Sequence, residues 1–171
     1  GSRSVDDQDD GQEFSRNPTL DDLVQLCKSL NNEAARYVVI GGFAVAHHGY
    51  LRATGDIDLL IESSNENVER IRKALSYLPD KAILDVKPAD VRNYSVVRVA
   101  DEVVIDLLAK ACEITYDQVK EDIDPIILQG VKVPFAGLRS LIETKRGIRP
   151  KDILDRSFLE EKLKRLKGKE K

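Results

Sequence analysis

The chain has 171 residues, of which 42% are hydrophobic and 33% charged, and its formal net charge at pH 7 is −3. This length and composition predict one globular domain with a substantial core rather than a disordered chain. The near-neutral charge argues against a general nucleic-acid binder. No apolar run approaches the ~20 residues that a membrane helix needs, so we expect no membrane span, and we expect no secretory leader.

Charge is distributed unevenly along the chain, which predicts three regions. Residues 1–17 hold many acids and few apolar side chains, so we expect a flexible acidic N-terminal tail there. A folded domain is expected over residues 18–166, followed by a basic C-terminal tail at 167–171. Cys27 and Cys112 lie in apolar segments, and we therefore expect buried, reduced thiols and a cytoplasmic location.

The first half of the chain alternates helical and strand patterns. Thr19 is the predicted N-cap of a first helix, in which apolar residues recur at helical spacing over positions 20–30. Asn65 is the predicted cap of a later helix that ends before Pro79. Around these we predict strands at 37–40, 57–62 and 81–86 and a short helix at 43–48.

The residue pattern in the second half of the chain predicts two antiparallel hairpins and three helical segments. The first hairpin pairs 95–100 with 103–108 around Asp101-Glu102, and the second pairs 126–128 with 131–134 around Gln129-Gly130. Helical segments are expected at 116–121, at 136–145 and from Pro150 onward. Together, the predicted strands and helices indicate an α/β or α+β domain, a mixed β-sheet with helices packed on it. The predicted apolar side of the last helix consists of Ile153, Leu154, Phe158, Leu159 and Leu163.

Two carboxylates interrupt an apolar strand. Asp56 and Asp58 flank Ile57, and residues two apart on a strand point to the same face, where like charges repel unless a cation lies between them. Asp106 is the acid of another apolar strand, and a neighbouring strand only about 4.8 Å away would bring it to the same site. Hard cations such as Mg²⁺ prefer carboxylate and phosphate oxygens, so the pattern predicts a metal site rather than a solvated strand edge.

Gly41-Gly42 lies between a predicted strand and a predicted short helix. Without side chains the pair lets the backbone approach a ligand closely, and free N–H groups at a helix start attract anions. Alone, such a pair indicates only a tight turn. Its position before the acids predicts a phosphate cradle that faces a metal pair, where two ions would hold the attacking and leaving oxygens of a displacement at phosphorus.

This order of motifs resembles the nucleotidyltransferase superfamily with the DNA polymerase β-type catalytic fold. The resemblance is carried by Gly41-Gly42, by Asp56-Ile57-Asp58 thirteen residues later, and by Asp106 on a later strand. The connector at 49–55 is similar to that of small bacterial members, such as lincosamide and aminoglycoside adenylyltransferases and the toxins of toxin–antitoxin and abortive-infection systems. The resemblance spans roughly residues 20–166.

The resemblance implies a Mg²⁺-dependent enzyme, with two ions expected and Mn²⁺ as a possible substitute. It would transfer a nucleoside monophosphate from a triphosphate such as ATP to an acceptor hydroxyl and release pyrophosphate. Asp56, Asp58 and Asp106 would be the catalytic metal ligands, and Asp106 is the candidate general base. Nucleotide contacts are implied for Gly41, Gly42, Arg52, Thr54 and Lys145, the last within a basic cluster formed with Arg146, Arg149 and Lys151.

Several alternatives stay open. The same fold would serve a toxin held by an antitoxin partner, or a non-catalytic nucleotide-binding or interaction protein. The acceptor would be a small molecule, RNA or a protein, and a homodimer is a further option. His47 and His48 lack metal-ligand spacing on a helix face, so we interpret them as structural, with nucleotide contact as the alternative. We expect Asp152 and Asp155 to stabilise the first turn of the last helix.

Overall fold

The structure is a computed structural model that describes residues 15–169. Most of the predicted N-terminal tail and the last two residues of the predicted basic tail lie outside the described residues. The described start of the chain contacts the domain. The Ser15 hydroxyl donates to the carbonyl of Asp101 at 2.6 Å, and Arg16 forms ion pairs with Asp22 at 2.6 Å and Glu102 at 2.7 Å.

The order of strands and helices along the chain is largely as predicted. The strands of the described range are β1 (Tyr37–Ile40), β2 (Asp56–Ile61), β3 (Val97–Ala100), β4 (Val104–Leu108), β5 (Lys110–Ala111), β6 (Ile114–Thr115), β7 (Ile123–Leu128) and β8 (Val131–Ala136). The α-helices of the same range are α1 (Leu20–Asn32), α2 (Gly41–His47), α3 (Asn65–Ala74), α4 (Pro88–Asn93), α5 (Tyr116–Val119), α6 (Leu138–Thr144) and α7 (Pro150–Lys169).

A mixed six-stranded sheet organises the domain, in the strand order β3-β4-β2-β1-β8-β7. The strands β2 and β4 are parallel, whereas β1 and β3 run antiparallel to them on either side. The second hairpin, β7 and β8, joins the sheet through parallel pairing of β8 with β1. The predicted fold class, a mixed sheet with helices packed on it, is therefore confirmed.

Core side chains alternate with the acids along the two central strands. Ile57 and Leu59 of β2 and Ile105 and Leu107 of β4 are at most 1% exposed. Because side chains alternate along a strand, their burial directs the acids between them to the opposite face. The hydrophobic pattern of these two strands thus fixes where the acids point.

Several local predictions are confirmed and others are wrong. Thr19 is the N-cap of α1 and forms a capping box with Asp22, as predicted. The cap of α3 is Ser64 rather than Asn65, because the Ser64 side chain accepts from the backbone N–H of Asn67. Cys112 is exposed rather than buried, since it lies in the turn between β5 and β6. The helix α4 and the β5–β6 ribbon were not predicted.

The segment predicted as a strand at 81–86 is instead a 3₁₀ turn, Ala82–Asp85. Lys81 has a left-handed backbone with φ of 55°, which a strand does not accommodate. The carboxylate of Asp101 accepts from the backbone N–H groups of Asp80 and Ala82 at 3.0 and 2.9 Å. A distant side chain therefore stabilises a turn that the local apolar pattern does not indicate.

The last helix, α7, buries only part of the predicted apolar side. Leu159 is fully buried, and Phe158 and Leu163 pack against the core. Ile153 and Leu154 are 46% and 59% exposed, whereas Asp152, Asp155 and Leu159 are buried. The two acids face inward because basic side chains of the neighbouring loops meet them there. None of the helices in residues 15–169 is long and apolar enough to cross a membrane.

Candidate active site

Three acidic side chains converge on one face of the sheet. The parallel register of β2 and β4 places Asp58 directly opposite Asp106, and Asp56 lies two residues earlier on the same face. One carboxylate oxygen from each of the three residues lies within 4.8 Å of the others. The structure therefore brings together the three acids that the sequence predicted as a group.

The electrostatics of this acidic group favour a cation. Burial, together with the charges of Asp56 and Asp106, raises the pKa of Asp58 to about 7. Burial and the charge of Asp106 also raise the pKa of Asp56. The cause in both cases is a partly desolvated cluster of like charges. Three carboxylates in such a cluster form a donor set suited to a hard divalent cation, so the residues fit the metal that the sequence predicted.

Arg98 lies across these acids and was not singled out from the sequence. The antiparallel pairing of β3 with β4 places it opposite Asp106. Its Nε donates to Oδ1 of Asp106 and its Nη2 to Oδ2, both at 2.9 Å, and Nη2 also reaches Oδ2 of Asp56 at 3.2 Å. These hydrogen bonds raise the pKa of the guanidinium above its ordinary value. Arg98 thus neutralises part of the acidic group.

The glycine pair forms the first turn of α2 rather than a loop before it. Gly41 has φ of 71°, and a Cβ atom at this position would lie 2.7 Å from Cγ of Asp58. A Cβ atom on Gly42 would lie 2.8 Å from Cβ of Thr54. Both positions therefore require glycine, for close approach to the acidic strand and to the connector. Ile40, which precedes the helix, supplies no side-chain cap, so the first-turn N–H groups are not satisfied in that way.

A cavity of about 360 Å³ opens over the acids. The three acids and Gly42 line it, together with the apolar side chains of Val96 and Leu108. Gly41 and Thr54 are not among the lining residues, and the Thr54 hydroxyl donates to the carbonyl of Asp56 at 3.1 Å. The basic residues that line the cavity are Arg52, Arg98, Lys145, Arg149 and Lys151.

Two of the predicted nucleotide-binding cations share one buried acid. Arg52 donates through Nε and Nη2 to both oxygens of Asp155, at 2.9 and 2.7 Å. The Nζ of Lys145 lies 2.9 Å from Oδ2 of the same carboxylate and 3.6 Å from Oδ1 of Asp152. Burial alone would raise the pKa of Asp155, but the hydrogen bonds from Arg52 and Lys145 outweigh it, and the pKa is lowered.

The prediction that Asp152 and Asp155 serve the first turn of the last helix is confirmed for the position of Asp152 and wrong for Asp155. Asp155 is fully buried between cations of the cavity, and Asp152 pairs with Arg149 at 2.9 Å. Within residues 15–169, Lys151 is the one basic lining residue for which no carboxylate partner is found, and it is exposed. Of the predicted basic cluster, Arg146 does not line the cavity and pairs with Glu143 at 3.0 Å.

The paired histidines do not line the cavity. His47 is the last residue of α2 and His48 follows it, whereas the glycines begin the same helix. Nε2 of His47 lies 2.7 Å from Oδ2 of Asp124 on β7, and Nε2 of His48 donates to the carbonyl of Ala136 at 2.9 Å. These contacts join the end of α2 to the β7–β8 hairpin.

Comparison with known proteins supports the fold. No protein-family model and no curated protein sequence matches the chain. Among solved structures, it is similar to a "putative nucleotidyltransferase" from Thermotoga maritima, with a TM-score of 0.54 and 18% sequence identity. The similarity covers 88% of this chain and 92% of that chain. At this identity the similarity is one of fold, and it extends over nearly the whole described domain.

Proposed function

We propose that the protein is a divalent-metal-dependent nucleotidyltransferase. It would transfer a nucleoside monophosphate from a nucleoside triphosphate to an acceptor hydroxyl, with release of pyrophosphate. The observation that carries this proposal is the convergence of Asp56, Asp58 and Asp106 beneath a cavity lined by basic side chains. The fold similarity to a protein described as a nucleotidyltransferase agrees with it.

The three acids would hold the metal ions. The crowding that raises the pKa of Asp58 to about 7 would be relieved by a bound cation, which favours the ionised carboxylate. When bound, divalent cations would neutralise triphosphate charge and align the attacking and leaving oxygens. Gly41 lets the backbone of α2 lie against Asp58, so that the glycine pair and the acids border one site.

The basic side chains would bind and orient the triphosphate. Lys151 is exposed at the cavity and makes no ion pair with the residues described, so its ammonium group is available to a phosphate. Arg52 and Lys145 are held in place by Asp155 and line the cavity. Cations fixed before the substrate binds stabilise developing negative charge without reorganisation.

Asp106 would accept the proton of the acceptor hydroxyl. Both of its oxygens accept hydrogen bonds from Arg98, which leaves them poorly placed to take a proton. This role therefore requires the guanidinium to release at least one oxygen. Arg98 is about half exposed and lines the cavity, so it has room to turn toward the phosphates.

Label transfer tests the proposal. Protein, Mg²⁺ and nucleoside triphosphates labelled at the α-phosphate are incubated with a cell extract, and the label is followed into RNA, protein and small molecules. We expect transfer by the unaltered protein and by the control Asp117→Asn, which removes a remote exposed carboxylate, and none by Asp58→Asn. The control changes the same chemical group, so a general effect of lost charge is excluded.

Two results would count against the proposal. Label transfer that persists in Asp58→Asn would show that the acids are not the reaction centre. Triphosphate binding without transfer to any fraction would favour a non-catalytic nucleotide-binding protein. Growth arrest on expression, abolished by Asp58→Asn, would identify the toxin alternative as the biological use of the same chemistry.

A further inference from the structure

A second group of metal-ligand side chains lies at the far end of α2. His47, His48 and Asp124 each offer one ligand atom, and these atoms lie within 4.8 Å of one another. The chain contains two histidines in total, and both are in this group. We propose that this group is a binding site for a borderline divalent cation such as Zn²⁺, separate from the acidic site.

The distance between the His47 and Asp124 ligand atoms is compatible with zinc coordination after a small adjustment. Nε2 of His47 and Oδ2 of Asp124 are 2.7 Å apart. In a tetrahedral site with bonds of about 2.1 Å, two ligand atoms are separated by roughly 3.4 Å. The His47–Asp124 pair would open by about 0.7 Å around a metal, which small rotations of the two side chains supply. Three protein ligands would leave one position for water, and Asp124 is 48% exposed on that side.

Both imidazole rings are already held by neighbouring groups. A carbonyl only accepts hydrogen bonds, so His48 must donate its Nε2–H to Ala136, and its lone pair is then on Nδ1. The His47 ring stacks on Phe135 with centroids 4.3 Å apart and an interplanar angle of 6°. The hydrogen bond of His48 is of the kind that commonly orients metal-binding histidines, since it comes from the nitrogen that does not bind the metal.

Charges around the group both favour and oppose a cation. The last carbonyl groups of α2 carry partial negative charge, which favours a cation nearby. Lys162 opposes a cation, since its Nζ donates to the carbonyl of His48 at 2.9 Å. We therefore expect weaker binding than at a closed four-ligand zinc site.

A bound ion would fasten α2 to the β7–β8 hairpin. His47 and His48 end the helix, and Asp124 lies on β7, so metal ligands would come from two separate parts of the sheet domain. The same helix begins with the glycine pair beside Asp58. An ion at one end would thus restrain the element that borders the proposed active site at its other end.

Cobalt and zinc titrations of the folded protein test this site. They are made on the Asp58→Asn variant with excess Mg²⁺, so that the acidic site does not contribute and the result is independent of the proposed activity. We expect one equivalent of Co²⁺ to give tetrahedral ligand-field absorption that Zn²⁺ removes. The absence of a thiolate charge-transfer band would exclude Cys112 as a ligand. Zinc at 100 times its Kd should raise the unfolding temperature by about 5–10 °C.

Variants assign the ligands. Asp124→Asn should weaken Co²⁺ binding at least tenfold, and His47→Gln should abolish it, whereas the control Asp117→Asn, a remote exposed acid, should leave it unchanged. Asp124 is half exposed on an edge strand, so its variant is expected to fold. The proposal is overturned if no equivalent of Co²⁺ or Zn²⁺ binds, or if the bound equivalent is unaffected by both substitutions. In either case the His47–Asp124 contact is an ordinary ion pair.

Discussion

Removal of the Arg98 side chain should strengthen metal binding at the acidic site. The guanidinium bonds both oxygens of Asp106 at 2.9 Å and one oxygen of Asp56 at 3.2 Å. These are oxygens that a divalent cation would take. Arg98 and the metal therefore compete for the same atoms, and Arg98→Gln removes the charged competitor while it keeps a shorter polar side chain.

The size of the effect follows from the burial of the pair. Removal of one partner of a fully buried ion pair costs about 3–5 kcal/mol. Asp106 is 8% exposed but Arg98 is 49% exposed, so solvent screens the interaction and we expect a loss of about 1–2 kcal/mol in the metal-free protein. A metal that must break the same contacts in the unaltered protein should then bind Arg98→Gln about 5- to 30-fold more tightly.

Calorimetric titration with Mg²⁺ and thermal unfolding with and without Mg²⁺ measure both effects. The variant should unfold at lower temperature without metal and approach the unaltered protein when Mg²⁺ saturates the site. Arg36→Gln is the matched control, because Arg36 pairs with Glu62 on the protein surface and is 59% exposed. Equal or weaker Mg²⁺ binding in Arg98→Gln would refute the competition. If Arg98 also turns toward the triphosphate, its removal should raise KM for the nucleotide while the Kd for Mg²⁺ falls.

Four further predictions concern the same site. Mg²⁺ affinity should fall as the pH is lowered through about 7, because Asp58 must lose its proton to bind metal. Because the pKa of Asp58 is raised, the folded state binds more protons than the unfolded state between about pH 4 and 7. The metal-free protein should therefore lose stability as the pH rises across this range. In thermal unfolding, Asp58→Asn should flatten that pH dependence. Gly41→Ala should abolish label transfer and lower the free energy of unfolding by about 1–3 kcal/mol, because Gly41 has a φ of 71° and the new Cβ would approach Asp58. An active, stable variant in denaturant unfolding would contradict the close packing described. Asp155→Asn should destabilise the fold by about 3–5 kcal/mol and raise KM for the nucleotide, since Arg52 and Lys145 lose their shared partner. An unchanged KM would show that these cations do not bind substrate.

Much of the site could be predicted because it depends on local periodicity. Asp56 and Asp58 share a face by the alternation of any strand, and the apolar residues between them select which face is buried. Asp106 interrupts a second apolar strand in the same way. The pairing of β2 with β4, which brings Asp58 opposite Asp106, was expected from the presence of two such strands and is found in the structure.

The cations could not be placed in this way. Asp152 and Asp155 begin a helix, where acids are common for local reasons, and nothing nearby in sequence indicates that Asp155 would be buried between Arg52 and Lys145. Arg52 lies 103 positions before its partner. Such pairs arise only when separate elements pack. Because α7 turns its paired acids inward, Ile153 and Leu154 of the predicted apolar side are left exposed.

The position of Arg98 shows most clearly what depends on the tertiary structure rather than on the local sequence. A turn at Asp101-Glu102 alone would pair Arg98 with Ile105 and direct it to the core face. The actual turn includes Val103, which shifts the register by one residue and places Arg98 opposite Asp106. The sequence by itself determined the two strands that carry the acids, and the glycine pair, because these follow from alternation and backbone freedom. Only the folded structure decided which cations meet those acids, because that depends on register and on contacts between distant segments.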